Sequence, residues 1–141
     1  MYLLYILYTV AAMVATAKTK RRRHMSKQTH EERAAIVRER ANFANEQNAR
    51  ELELCAMNTS EIYFAVIEPT INSLRRHAKR GKYSEAAALV AWKNVADKAA
   101  RLYMSIYGQR VGDVFSVADR CAVAVTLCET EAENVFFGLK D

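Results

Sequence analysis

The sequence predicts an all-α protein: a small bundle of three packed helices with a looser N-terminal helical arm. Two patterns and one shortage lead there. No stretch alternates apolar and polar residues over the length of a strand. Apolar residues recur instead at steps of three and four across long segments, as on one face of a helix. Helix breakers are scarce, with one proline at 69 and glycines only at 81, 108, 112 and 138, where they punctuate those segments. Three parts are expected: an apolar and basic leader or anchor over residues 1–24, a polar helix within 25–58, and the bundle over 59–141. The last two together are large enough for a modest single core and too short for two.

The first helix is expected over residues 31–57. Thr29 and Glu32 open it as a capping box, whose hydroxyl and carboxylate take up backbone N–H groups without helical partners. Its middle is polar nearly all round, with Ile36, Phe43, Ala44, Leu52 and Cys55 the sizeable candidates for burial, which predicts a half-docked or projecting helix. Asn58, Thr59 and Ser60 each suit the cap of a second helix over 61–80. Pro69 should kink or restart that helix, because its ring displaces a hydrogen bond. Ile62, Val66, Ile71 and Leu74 form its buried stripe, and Gly81 suits a left-handed stop. Ser84 caps a third helix that Gly108 ends. Along it Leu89, Trp92, Ala96, Ala99, Tyr103 and Ile106 share a face, and the two alanines let a neighbour approach closely. A loop over 109–115 with a Gly112-Asp113 turn leads to a fourth helix running to Gly138. Ser116 and Asp119 open it, and Val117, Cys121, Ala124, Cys128 and Val135 form its stripe. The core is thus expected to hold Leu89, Trp92, Ala96, Tyr103, Val117, Cys121 and Ala124.

Residues 1–24 do not resemble the rest. Residues 1–17 carry no charge, and Lys18, Lys20, Arg21, Arg22 and Arg23 follow with no acid among them. Those five cations are the whole excess of a chain with 21 Lys and Arg against 16 Asp and Glu. What remains is neutral and gives no global electrostatic argument for nucleic acid or an anionic membrane. One reading takes residues 1–24 as a translated leader. Arg21-Arg22 can be encoded AGG-AGG, a bacterial ribosome-binding sequence, two codons ahead of a native start at Met25. The alternative is a single-pass inner-membrane anchor. A spanning helix needs at least about 17 apolar residues, which residues 1–17 just reach. Tyr2, Tyr5 and Tyr8 would suit one interface, and the basic run would keep the following domain in the cytoplasm. A cleaved signal fits less well. Ala15-Thr16-Ala17 matches a cleavage site, but the positive charge follows the apolar stretch instead of preceding it. Cys55, Cys121 and Cys128 are also an odd number for an exported domain.

From Pro69 onward the chain resembles a family of small phage and prophage proteins. The likeness rests on Leu74-Arg75-Arg76, Gly81-Lys82-Tyr83-Ser84, Ala88, Trp92, Ala96-Asp97, Ala99-Ala100-Arg101, Tyr103, and Phe115-Ser116 with Arg120. It covers roughly half the chain. The family pattern usually has Asp where Ser84 stands, and either residue can cap a helix. The resemblance implies an all-helical phage protein, from a family with no assigned catalytic residues. It also suits the compact-genome reading of Arg21-Arg22.

Few residues advertise chemistry. The phosphate-cradling glycine loop, the H-E-x-x-H zinc motif, C-x-x-C and the nucleophile elbow are all missing, so no enzyme, metal or cofactor is expected. Cys121 and Cys128 lie seven apart on one helix, too far for a bridge, and with Cys55 read as small buried hydrophobes. The one local basic cluster, Arg75, Arg76, Lys79, Arg80 and Lys82, could grip phosphates or an acidic protein face. Cations also belong at a helix C-terminus, where they offset its dipole, and that is the preferred account. Tyr83, Asp97, Arg101 and Arg120 are the signature residues with contact potential, although Asp97 and Arg101 at i, i+4 also suit an ordinary helical ion pair. The expected function is binding of a host protein in the host cytoplasm. Its rivals are nucleic-acid binding through residues 75–82 and a membrane-anchored protein.

Overall fold

The computed structural model describes residues 28–108 and 114–139, and among these it is all-α with no strand. The helices are α1 (His30–Ala41), α2 (Glu46–Asn58), α3 (Ser60–Ile62), α4 (Glu68–Lys79), α5 (Glu85–Tyr107), α6 (Val117–Thr130) and α7 (Ala132–Phe136), with a π-helical turn, Tyr63–Ile67, joining α3 to α4. Side chains set four of the starts. Thr29, Asn45, Ser84 and Ser116 accept the backbone N–H of Glu32, Asn48, Ala87 and Asp119 at 3.0–3.1 Å, supplying partners that the first turn of a helix lacks. At Ser116 the box is complete, because the Asp119 carboxylate also takes the Ser116 N–H at 3.0 Å.

The long helix α5 is the spine. It packs along α6, α1 lies against both, and α2 rests on α6. Leu89, Trp92, Ala96 and Ala99 are buried as the spacing requires, and Ala96, Ala99 and Ala100 are fully so, which lets the neighbouring backbones approach. Trp92 and Phe115 are the largest side chains fully withdrawn from solvent. Cys121 and Ala124 of α6 join them.

Several expectations are corrected. The single helix over 31–57 is two helices, broken at residues 42–45. The break has a tertiary cause: the Asn45 N–H is held at 2.8 Å by the carboxylate of Asp119, which fixes Asn45 in extended backbone as the cap of α2. The N-terminal arm is not loose. Ala34 and Val37 of α1 and Leu52 and Ala56 of α2 are buried in the common core, whereas Phe43 lies in the break and is 79% exposed. The fourth helix ends at Thr130 and restarts at Ala132, so α7 is a separate short element. Val117 is exposed, because the inward position in the first turn of α6 belongs to Asp119, two residues further round the helix. Tyr103 is only half-buried and Ile106 is exposed, near the end of α5.

Pro69 does restart its helix, in a particular form. It sits in the first turn of α4, where its missing N–H costs least. The chain enters α4 through the π turn, in which the Glu68 N–H reaches the Tyr63 carbonyl. Ile62, Val66, Ile71 and Leu74 are all buried. Gly81 and Gly108 end α4 and α5 in the left-handed region, at φ +69° and +71°. No helix among the described residues is long and apolar enough to cross a membrane. Residues 1–24, with the leader and anchor readings, lie outside the described residues, as does the Gly112-Asp113 turn.

Candidate functional site

The basic cluster occupies the end of α4 and the turn that follows. There the Lys82 N–H bonds the His77 carbonyl at 2.9 Å and the Gly81 N–H bonds the Ala78 carbonyl at 3.1 Å, a Schellman stop around left-handed Gly81. This turn divides the cluster. Arg75 is committed to α7, donating from Nη1 to the Asn134 carbonyl at 2.9 Å. Arg76, Lys79 and Arg80 are exposed, and Lys79 stands one turn beyond Arg75 on the same face. Lys82 lines a cleft between α4 and α5.

Beside Arg75 the structure assembles aromatic rings that the sequence does not interleave with the cations. The Tyr83 ring meets Phe136 edge-on, with 4.7 Å between centroids. Phe137 follows at 76% exposure, and Phe136 is itself 42% exposed. Burial pushes the Tyr83 hydroxyl pKa up, helped by the negative charges that Cys128 and Glu85 would carry. Sequence reasoning missed this face. Its signal was the pair Phe136-Phe137 just before Gly138, since two adjacent residues cannot share one face of a helix.

The other signature residues fall into two sets. Asp97 and Arg120 meet across α5 and α6 at 3.1 Å, and Lys93 holds the other Asp97 oxygen at 2.7 Å. Arg120 also donates from Nε to the Ser116 carbonyl at 3.3 Å, so the trio ties α5 to the start of α6. The helical partner of Asp97 is therefore Lys93, one turn before it, and not Arg101, which is exposed. Asp119 plays a comparable part for α2 and α6. Only 2% exposed, it accepts the Asn45 N–H on one oxygen and the Ser116 N–H on the other. It thus lies between the positive ends of two helix dipoles.

The cleft holding Lys82 measures about 380 Å³ and is also lined by His30, Ser73, Leu74, His77 and Ala87. A larger depression of about 680 Å³ lies between α2 and α6, walled by Ala41, Ala44, Ala49 and Ala122. Burial raises the carboxyl pKa of Glu53 there, against the pull of Arg50. Cys121 and Cys128 are buried free thiols, and Cys55 is half-buried and also free. Burial raises the pKa of both Cys121 and Cys128, as expected of thiols among apolar neighbours. Among the described residues no cluster of His, Cys, Asp and Glu could hold a metal ion. No family model matches the chain, and neither does any curated protein or solved structure.

Proposed function

We propose that this is a non-catalytic, phage-type accessory protein that binds a host protein in the host cytoplasm, through exposed Phe137 and the exposed cations Arg76, Lys79 and Arg80. The observation that carries the reading is Phe137, a large ring left in solvent just after α7, the helix whose Asn134 carbonyl holds Arg75. Protein contacts concentrate their energy in aromatic and arginine side chains of this kind. The fitting partner offers an apolar pocket rimmed by carboxylates, which would meet the exposed Arg76, Lys79 and Arg80.

Nucleic-acid binding through Arg75, Arg76, Lys79, Arg80 and Lys82 is the rival, and it gains from the rings beside the cluster. It loses from their engagement: Phe136 is met by Tyr83, and Arg75 is spent on Asn134. A pull-down from bacterial lysate with the full chain separates the two. Host-protein binding predicts a captured protein that survives nuclease and moderate salt and is lost with Phe137→Asp. Capture abolished by nuclease, or falling steeply with salt, would establish the rival. The membrane reading rests on residues 1–23 alone. A product of the native gene that begins at Met1 and resists extraction by salt and alkali would support it.

A further inference from the structure

The turn that divides the basic cluster also shapes the cleft between α4 and α5. Left-handed Gly81 folds the chain back so that the Lys82 backbone bonds the His77 carbonyl, which brings Lys82 and His77 to the same opening. His30, the first residue of α1, reaches that opening from a third element. His30, His77 and Lys82 are exposed, as groups on a rim are. Leu74 beneath them is buried, and Ala87 and Ala91 are half-buried. Ser73, Tyr83 and Ser84 add hydroxyls, and Ser84 keeps its O–H to donate, because its oxygen accepts the Ala87 N–H.

Among the described residues no carboxylate lines this cleft. Glu85, the residue after lining Ser84, is paired with Arg38 at 2.8 Å, although its charge still reaches Tyr83. An imidazole offers at least one N–H in either protonation state, and an ammonium offers three. Donors from three elements therefore converge over an apolar floor, with no carboxylate among the lining side chains to oppose an incoming negative charge. The volume, about 380 Å³, lies at the small end of the range for small-molecule sites.

We propose that this cleft binds a small organic anion, a phosphate or carboxylate head on an apolar ring or short chain. The head meets His30, His77 and Lys82, and the body lies on Leu74, Ala87 and Ala91. The site is independent of the host-protein reading, which rests on Phe137, a residue that does not line the cleft.

Calorimetric titration of the full chain with phenyl phosphate, benzoate, inorganic phosphate and phenol tests it. At least one of the two aryl anions should bind saturably, and at least about tenfold tighter than phenol or inorganic phosphate, since neither probe engages both rim and floor. Combining His77→Ala with Lys82→Ala should weaken that binding by about tenfold or more, the loss expected for one charge-assisted hydrogen bond, with the melting temperature unchanged. Ala87→Leu should abolish it by filling the floor while leaving every cation in place. If Ala87→Leu lowers the melting temperature, Lys82→Ala alone decides. Failure of both aryl anions to bind overturns the proposal. So does inorganic phosphate binding equally well, or affinity that ignores the substitutions at 77 and 82.

Discussion

Replacing Asp119 with alanine should be the most damaging polar substitution in the described structure. Its carboxylate takes the Asn45 N–H at 2.8 Å and the Ser116 N–H at 3.0 Å, so its loss releases one donor at the head of each of two helices. A hydrogen bond to a charged group contributes about 1.5–3 kcal/mol net, but both donors belong to exposed residues that water can reach, which favours the lower end for each. The sum is about 3 kcal/mol, a large share of the 5–15 kcal/mol typical of a folded domain. Thermal melting should show a fall of about 10 °C, and urea titration a lower midpoint. Ser116→Ala is the control, because it removes one cap at the same helix end and should cost about 1 kcal/mol. If the two substitutions cost the same, Asp119 serves its own helix only and the tie to α2 contributes nothing.

Three further outcomes are expected. Trp92→Ala empties the largest site in the core, at 1% exposure, and should cost about 3–5 kcal/mol by chemical denaturation. Gly81→Ala should cost about 1 kcal/mol, read by the same assay, from the left-handed backbone alone, because an added Cβ would meet nothing within 4 Å. Stability should decline in alkali. Burial holds the Cys121 and Cys128 pKa values above 9.0, so their contribution is intact below the unfolded value and is lost as pH rises through the folded one. Melting temperatures measured between pH 7 and 10.5 should therefore fall above about pH 9, less steeply once both cysteines are replaced by serine.

What the sequence revealed was local. Ser84, Ser116, Gly81 and Gly108 mark helix ends through bonds to residues within a few positions, and the stripe Ile62, Val66, Ile71 and Leu74 follows from helical spacing. What stayed hidden depends on distant partners. The break between α1 and α2 is imposed by Asp119, 74 residues from Asn45. The choice of Arg120 over Arg101 by Asp97 depends on where α6 lies. The docking of α1 was obscured because its buried side chains, Ala34 and Val37, are small, whereas the large Phe43 beside them points to solvent. The cleft was unreadable for the same reason, since His30 and His77 acquire a common role only when α1 and α4 are placed. Residues 75–82 were legible as a basic cluster, but their division between α7, solvent and the cleft was not.

The π-helical turn makes the length of its helix negotiable. Ile62 and Ile67 are both fully buried although five residues apart, where an α-helix turning about 100° per residue would point them about 140° apart. The wider turn absorbs one surplus residue, and exposed Phe64 and Ala65 lie within it. This is the place where the chain can shorten by one residue without rotating the faces that follow. Pro69 sets the condition. In a shortened, regular helix it would sit past the first turn, where its ring clashes with the preceding turn at a cost of about 3 kcal/mol. Deletion of Ala65 should therefore be tolerated only together with Pro69→Ala. The surplus residue and the proline form an epistatic pair, in which each makes the other acceptable.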